Sequence, residues 1–80
     1  MDGKTHMMME PVQFEERFLK HIISHHASAI READDCLEEA YHGELLSLCQ
    51  NVISTQSPEL GVMQGWLCEW YEACDFRHNL

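Results

Sequence analysis

This sequence predicts an all-α fold: a long antiparallel helical hairpin that dimerises into a four-helix bundle. Three observations carry that expectation. Apolar residues recur at helical spacing over two long stretches. A tight break at Tyr41-His42-Gly43 separates them. Strand-like alternation of useful length does not occur.

Residues 1–10 read as a flexible N-terminal segment, 11–74 as the hairpin and 75–80 as a frayed tail. Pro11 suits the first turn of a helix, where its missing N–H costs nothing. From Phe14 the apolar positions are Phe18, Ile22, Ala29, Ala33, Leu37 and Ala40, in steps that keep one face. Glu15, Glu16, Lys20, Arg31, Asp34, Asp35 and Glu38 take the opposite face. Gly43 is expected to end the helix in the left-handed conformation. The second run begins at Glu44 and passes Leu45, Val52, Gln56, Leu60, Met63, Leu67, Trp70 and Cys74. Pro58 inside it costs about 3 kcal/mol. The apolar stripe nevertheless crosses Pro58 in phase, so a kinked continuation is expected over a new helix capped by Ser57.

A tight connection makes the two helices antiparallel, and a turn centred on His42-Gly43 sets position i opposite roughly position 85 − i. Each stripe is wider than one partner helix can cover. Phe14, Phe18, Trp66, Leu67 and Trp70 therefore lie toward the open end as a surface for a homodimer.

Composition narrows the function. The chain has 80 residues, with five Lys plus Arg against fourteen Asp plus Glu, a net charge of −9. One domain of this size buries only roughly 60–65% of its unfolded surface, so disulfides, a metal or self-association must add stability. The acidic balance disfavours nucleic acid and favours cations. No run is long and apolar enough to span a membrane. The first twelve residues lack the apolar region of a secretory signal, so the expectation is a cytoplasmic chain, or else a mature or trimmed one.

Six His and five Met are the unusual entries. His21 and His25 sit one turn apart, a spacing that can chelate one metal, and His26 lies on the stripe itself. The hairpin relation sets Gln56, Glu59 and Met63 across from them. Two readings stand: a metal site in which His25, His26, Glu59 and Met63 are ligands supported by His21 and Gln56, or a hydrogen-bonded polar core. Copper is the first metal expected, with zinc or iron as alternatives. No nucleophile–base arrangement is discernible, so catalysis is not expected. Glu39-x-x-His42 fits half of a di-iron motif but stands alone at a helix end and reads as surface. His6-Met7-Met8-Met9 offers soft donors suited to Cu(I), and equally reads as a plain terminal segment. Cys36 and Cys49 satisfy the hairpin relation and can face each other as a disulfide, or remain thiols in a reducing compartment. Cys68 and Cys74 read as small buried apolar residues.

Phe14, Phe18, Ile23-Ser24-His25-His26-Ala27-Ser28-Ala29-Ile30, His42-Gly43-Glu44-Leu45 and Val52-Ile53-x-x-Gln56-x-x-Glu59-Leu60-x-x-Met63-x-x-Trp66-Leu67-x-x-Trp70-Tyr71 together resemble the DUF305 family. The resemblance spans roughly Phe14 to Tyr71. It implies a ferritin-like helical bundle, often exported, with some relatives associated with copper binding or resistance through Met and His. The family's paired histidines correspond to His25 and His26, and its Gln, Glu and Met to Gln56, Glu59 and Met63. Where the family has His-Pro-Glu at the helix turn, this chain has His42-Gly43-Glu44. Methionines typical of the first helix are replaced by His21 and Glu32. That exchange trades soft donors for borderline and hard ones, opening Cu(II), Zn(II) or Fe beside Cu(I).

Overall fold

A computed structural model describes residues 9–76, and side chains from Glu10. Two helices account for nearly all of it: α1 (Met9–Glu39) and α2 (Gly43–Tyr71). They run antiparallel in a single layer with extents of 57 × 25 × 16 Å. The radius of gyration, 16.6 Å, exceeds the ~12 Å of a compact chain of this length. One hairpin therefore leaves each helix with only one neighbour.

α1 starts two residues ahead of Pro11. Proline is tolerated there because the first turn's N–H groups have no intrahelical acceptor. α2 runs unbroken through Pro58, as the uninterrupted stripe requires. Just upstream, Ser54 and Thr55 hydroxyls donate to the Asn51 carbonyl at 3.3 and 2.8 Å, a local bond that helices accept.

The connection differs from the expectation in one detail. No glycine among the described residues has positive φ, so Gly43 does not form a left-handed cap. It is instead the first residue of α2. His42 precedes it in an extended conformation (φ −79°, ψ 132°) and accepts the Leu46 N–H through its carbonyl at 3.0 Å. An extended N-cap reverses the chain without a left-handed residue. The left-handed position falls at Glu72 (φ 57°), which closes α2 by returning its N–H to Cys68 and the next one, of Ala73, to Leu67.

The core is thin. Leu19, Ile23, Met63 and Leu67 form its centre, with Ala27, Ala33 and Cys49 buried nearer the turn. This seam on α1 lies one residue round from the Phe18, Ile22 and Ala29 stripe expected from spacing. The apolar arc is wider than α2 can cover, so the part facing α2 is buried and its flank is not. Phe14 and Phe18 stay 58% and 47% exposed, and Trp66 and Trp70 stack on each other at 5.2 Å on the same open side.

Two disulfides compensate for the small core. Cys36–Cys49, whose Cα atoms are 6.3 Å apart, joins the helices near the turn as the hairpin relation anticipates. Cys68–Cys74 corrects the reading of those two residues as apolar filler. It staples the segment after α2 back onto the helix, so Ala73 and Phe76 pack against the core. Lys20 lies 5.7 Å over the Phe76 ring. The expectations for residues 1–8 and 77–80, His6-Met7-Met8 included, lie outside the described residues.

At the open end the Tyr71 hydroxyl donates to Glu15. This bond, then desolvation and the charges of Glu15 and Glu16, push the Tyr71 pKa up to about 12. Folding thus favours the protonated phenol. The contribution is whole below the ordinary value of 10.0 and is lost as pH rises through about 12.

Two expectations follow from these links. Replacing Cys36 and Cys49 together by serine should cost about 3 kcal/mol, the loop-closure value for a sequence separation of 13; urea unfolding measures it, and an unchanged midpoint would deny the clamp its role. In an ultraviolet pH titration, Tyr71→Phe should remove a tyrosinate step near pH 12 and lower the neutral-pH melting temperature. Persistence of that step would deny the Tyr71–Glu15 bond its effect on the phenol.

Candidate functional site

Antiparallel packing carries the polar residues of both apolar stripes to mid-height of the hairpin. His26 on α1 and Glu59 on α2 meet there, Nε2 to Oε1 at 2.8 Å. The contact crosses between helices, so it also reports their register. Exposure of Glu59 is 62% against 19% for His26, and solvent limits such a pair to roughly 1 kcal/mol or less.

Two shallow depressions flank this pair on one side of the hairpin. The first, about 400 Å³, is bordered by His25, His26, Ser28, Glu32 and Gln56, with Ile22 and Ala29 as its apolar floor. The second, about 420 Å³, is bordered by His26, Glu59 and Met63 together with Ile22, Pro58, Val62 and Trp66. Its lining is almost wholly apolar, because Met63 belongs to the core cluster and Pro58 has no N–H to present. His26 is shared by both.

The six residues singled out from sequence therefore divide. His25, His26 and Gln56 share the polar depression; His26, Glu59 and Met63 share the apolar one. His21 borders neither and reaches the site only through His25, its ring 4.3 Å away and tilted by 46°. Glu32 joins the polar depression although spacing arguments had not placed it there. Its positions relative to His25 and Ala29, seven and three residues on, keep it on their side of α1, and that was the available signal. Glu39 and His42 are exposed at the end of the hairpin, His42 lying edge-on to Tyr41 at 5.2 Å.

Gln56 has the most informative environment. Its Oε1 is buried and has no hydrogen-bond partner. An unpaired acceptor of this kind costs about 1–3 kcal/mol. His26 adds a complementary feature. When Nε2 carries the proton that Glu59 accepts, Nδ1 keeps its lone pair. An imidazole held from behind by a carboxylate is the usual arrangement of a metal-ligating histidine. Among the described residues, however, one chain assembles no group of three or more His, Cys, Asp or Glu side chains able to hold a metal ion. The cysteines contribute no thiolate, since all four are paired in disulfides.

No helix of the described residues is long and apolar enough to cross a membrane. Comparison with known proteins adds one positive finding. The family model described as Domain of unknown function (DUF305) matches residues 5–79, essentially the whole chain. No significant match was found among curated proteins or among solved structures. A match of that extent, on a two-helix hairpin with no strands among the described residues, means that the chain belongs to the DUF305 family.

Proposed function

We propose that this chain is a small metal-binding module, a sequestering or handling protein for a copper-type ion with no turnover. The carrying observation is the buried, unpartnered Gln56 Oε1 beside His25 and His26 in one open depression. An acceptor left unpaired next to two imidazoles is what a bound cation would satisfy. His25 and His26 are the nitrogen donors in this reading, and Gln56 supplies an oxygen. Glu59 orients His26, Met63 offers a thioether at the apolar depression that His26 also borders, and His21 steadies His25.

The donor set is borderline to hard, which suits Cu(II) and Zn(II) better than Cu(I), with iron as a further alternative. Two disulfides favour a compartment where such bonds persist over a reducing cytosol. The exposed Phe14, Phe18, Trp66 and Trp70 support self-association into a ferritin-like four-helix bundle.

One observation favours a second reading. The 2.8 Å His26–Glu59 bond satisfies both groups without a metal, as a structural, oligomerising hairpin with a polar core would have it.

Metal titration separates the two. Cu(II), Zn(II), Fe(II) and Cu(I) are added to the metal-free protein while its melting temperature is followed. At a hundredfold excess over Kd, a bound ion should stabilise the fold by about 2.7 kcal/mol. His25→Ala/His26→Ala should abolish that shift. If no metal moves the transition, or the double variant responds like the wild type, the structural reading stands instead.

A further inference from the structure

The two sides of the hairpin are not alike. On one, the disulfide-stapled segment lays Phe76 against the core beside Lys20. Phe18, two residues before Lys20, points the opposite way round α1 at 3.6 residues per turn. That opposite side is uncovered. A continuous furrow runs along it, from Phe18 and Trp66 at the open end, through His26 and Gln56, to Ala33 and Val52 near the turn. Successive stretches of the furrow share residues, so it is one surface.

We infer that a second copy of this chain occupies that surface, and that His25 and His26 of both copies complete one divalent-cation site between them. The inference rests on the metal-binding reading above and specifies where the missing donors come from.

Three observations carry it. Exposed apolar surface is the first: Phe18, Leu48, Val62, Trp66 and Trp70 are each at least 40% exposed along the furrow, a contiguous patch of the kind that marks an interface. The second is position. His25 and His26 stand halfway along α1 between Phe14 at the open end and Leu37 near the turn. A two-fold axis along the hairpin keeps every level opposite itself, and one perpendicular to it at mid-length exchanges the ends but leaves the middle in place. Either symmetry brings the two histidine pairs together. The perpendicular axis further sets the Phe18–Trp66 end of one copy against the Ala33, Leu48 and Val52 end of the other, apolar against apolar.

Charge is the third. Each chain carries −9, and Glu32 and Glu59 border the middle of the furrow. Docking two copies doubles those carboxylates around the axis, where like charges repel at short range. A divalent cation on the facing imidazoles offsets that repulsion. One chain offers too few donors for a metal group among its described residues; two copies offer four imidazoles and two Gln56 oxygens. Metal binding and self-association are then thermodynamically linked.

Sedimentation equilibrium and calorimetric titration of the full, disulfide-intact chain with Zn(II) and Cu(II) test this. The expected result is one ion per two chains, with the dimer dissociation constant falling at least about tenfold on saturation. Trp66→Glu leaves every proposed donor in place but charges the furrow. It should yield a monomer whose metal affinity falls by a similar factor. Tight one-to-one binding to a monomer, in the wild type or in Trp66→Glu, overturns the inference while leaving the metal-binding reading intact. A dimer indifferent to metal, with ions bound one per chain, does the same. Absence of any binding by the wild type removes both.

Discussion

Register between the two helices is the constraint on which everything else in this molecule depends. Both helices rise by the same amount per residue, so one fixed contact sets all the others. The Cys36–Cys49 disulfide supplies that contact near the turn, the His26–Glu59 bond repeats the register at mid-height, and the Tyr71–Glu15 bond carries it to the open end. A slip of one residue would turn each side chain by about 100° and separate all three pairs. With a core centred on only Leu19, Ile23, Met63 and Leu67, apolar packing alone would resist such a slip weakly. The covalent link restricts the unfolded chain and so substitutes for the area a second layer of helices would bury.

The second consequence is asymmetry. A hairpin of two amphipathic helices has two flanks, and the segment stapled by Cys68–Cys74 covers the open end of one of them with Phe76. The other keeps Phe18, Trp66 and Trp70 exposed and carries the depression that His25, His26 and Gln56 border. The same staple that stabilises a thin fold thus makes its two flanks unlike.

Much of the site was legible from residue spacing. The turn position and the helical rise were enough to set His26 against Glu59 and Cys36 against Cys49, because antiparallel pairing is a linear relation along the chain. Less was legible where the answer depends on direction around a helix or on the path of a short irregular segment. The stripe through Phe18 and Ile22 proved to be the flank of the buried seam, not its centre. Gly43 opened α2 where a left-handed cap was expected, since the extended His42 had already turned the chain. Cys68 and Cys74 lie six apart across a helix end, and only the reversal at Glu72 brings them together.

What the sequence determined by itself is the one-dimensional part of the structure: two helices, their antiparallel order, their register and the family to which they belong. These follow from periodicity, a tight break and a motif, all properties of position along the chain. The tertiary structure alone decided where Phe76 packs, that the Gln56 Oε1 is buried without a partner, and that His25 and His26 share a depression with Glu32 while Met63 is drawn into the core. The reason is geometric. Periodicity defines a face relative to its own helix axis, whereas burial depends on how that face is rotated against its neighbour and on where a non-local disulfide leads the chain.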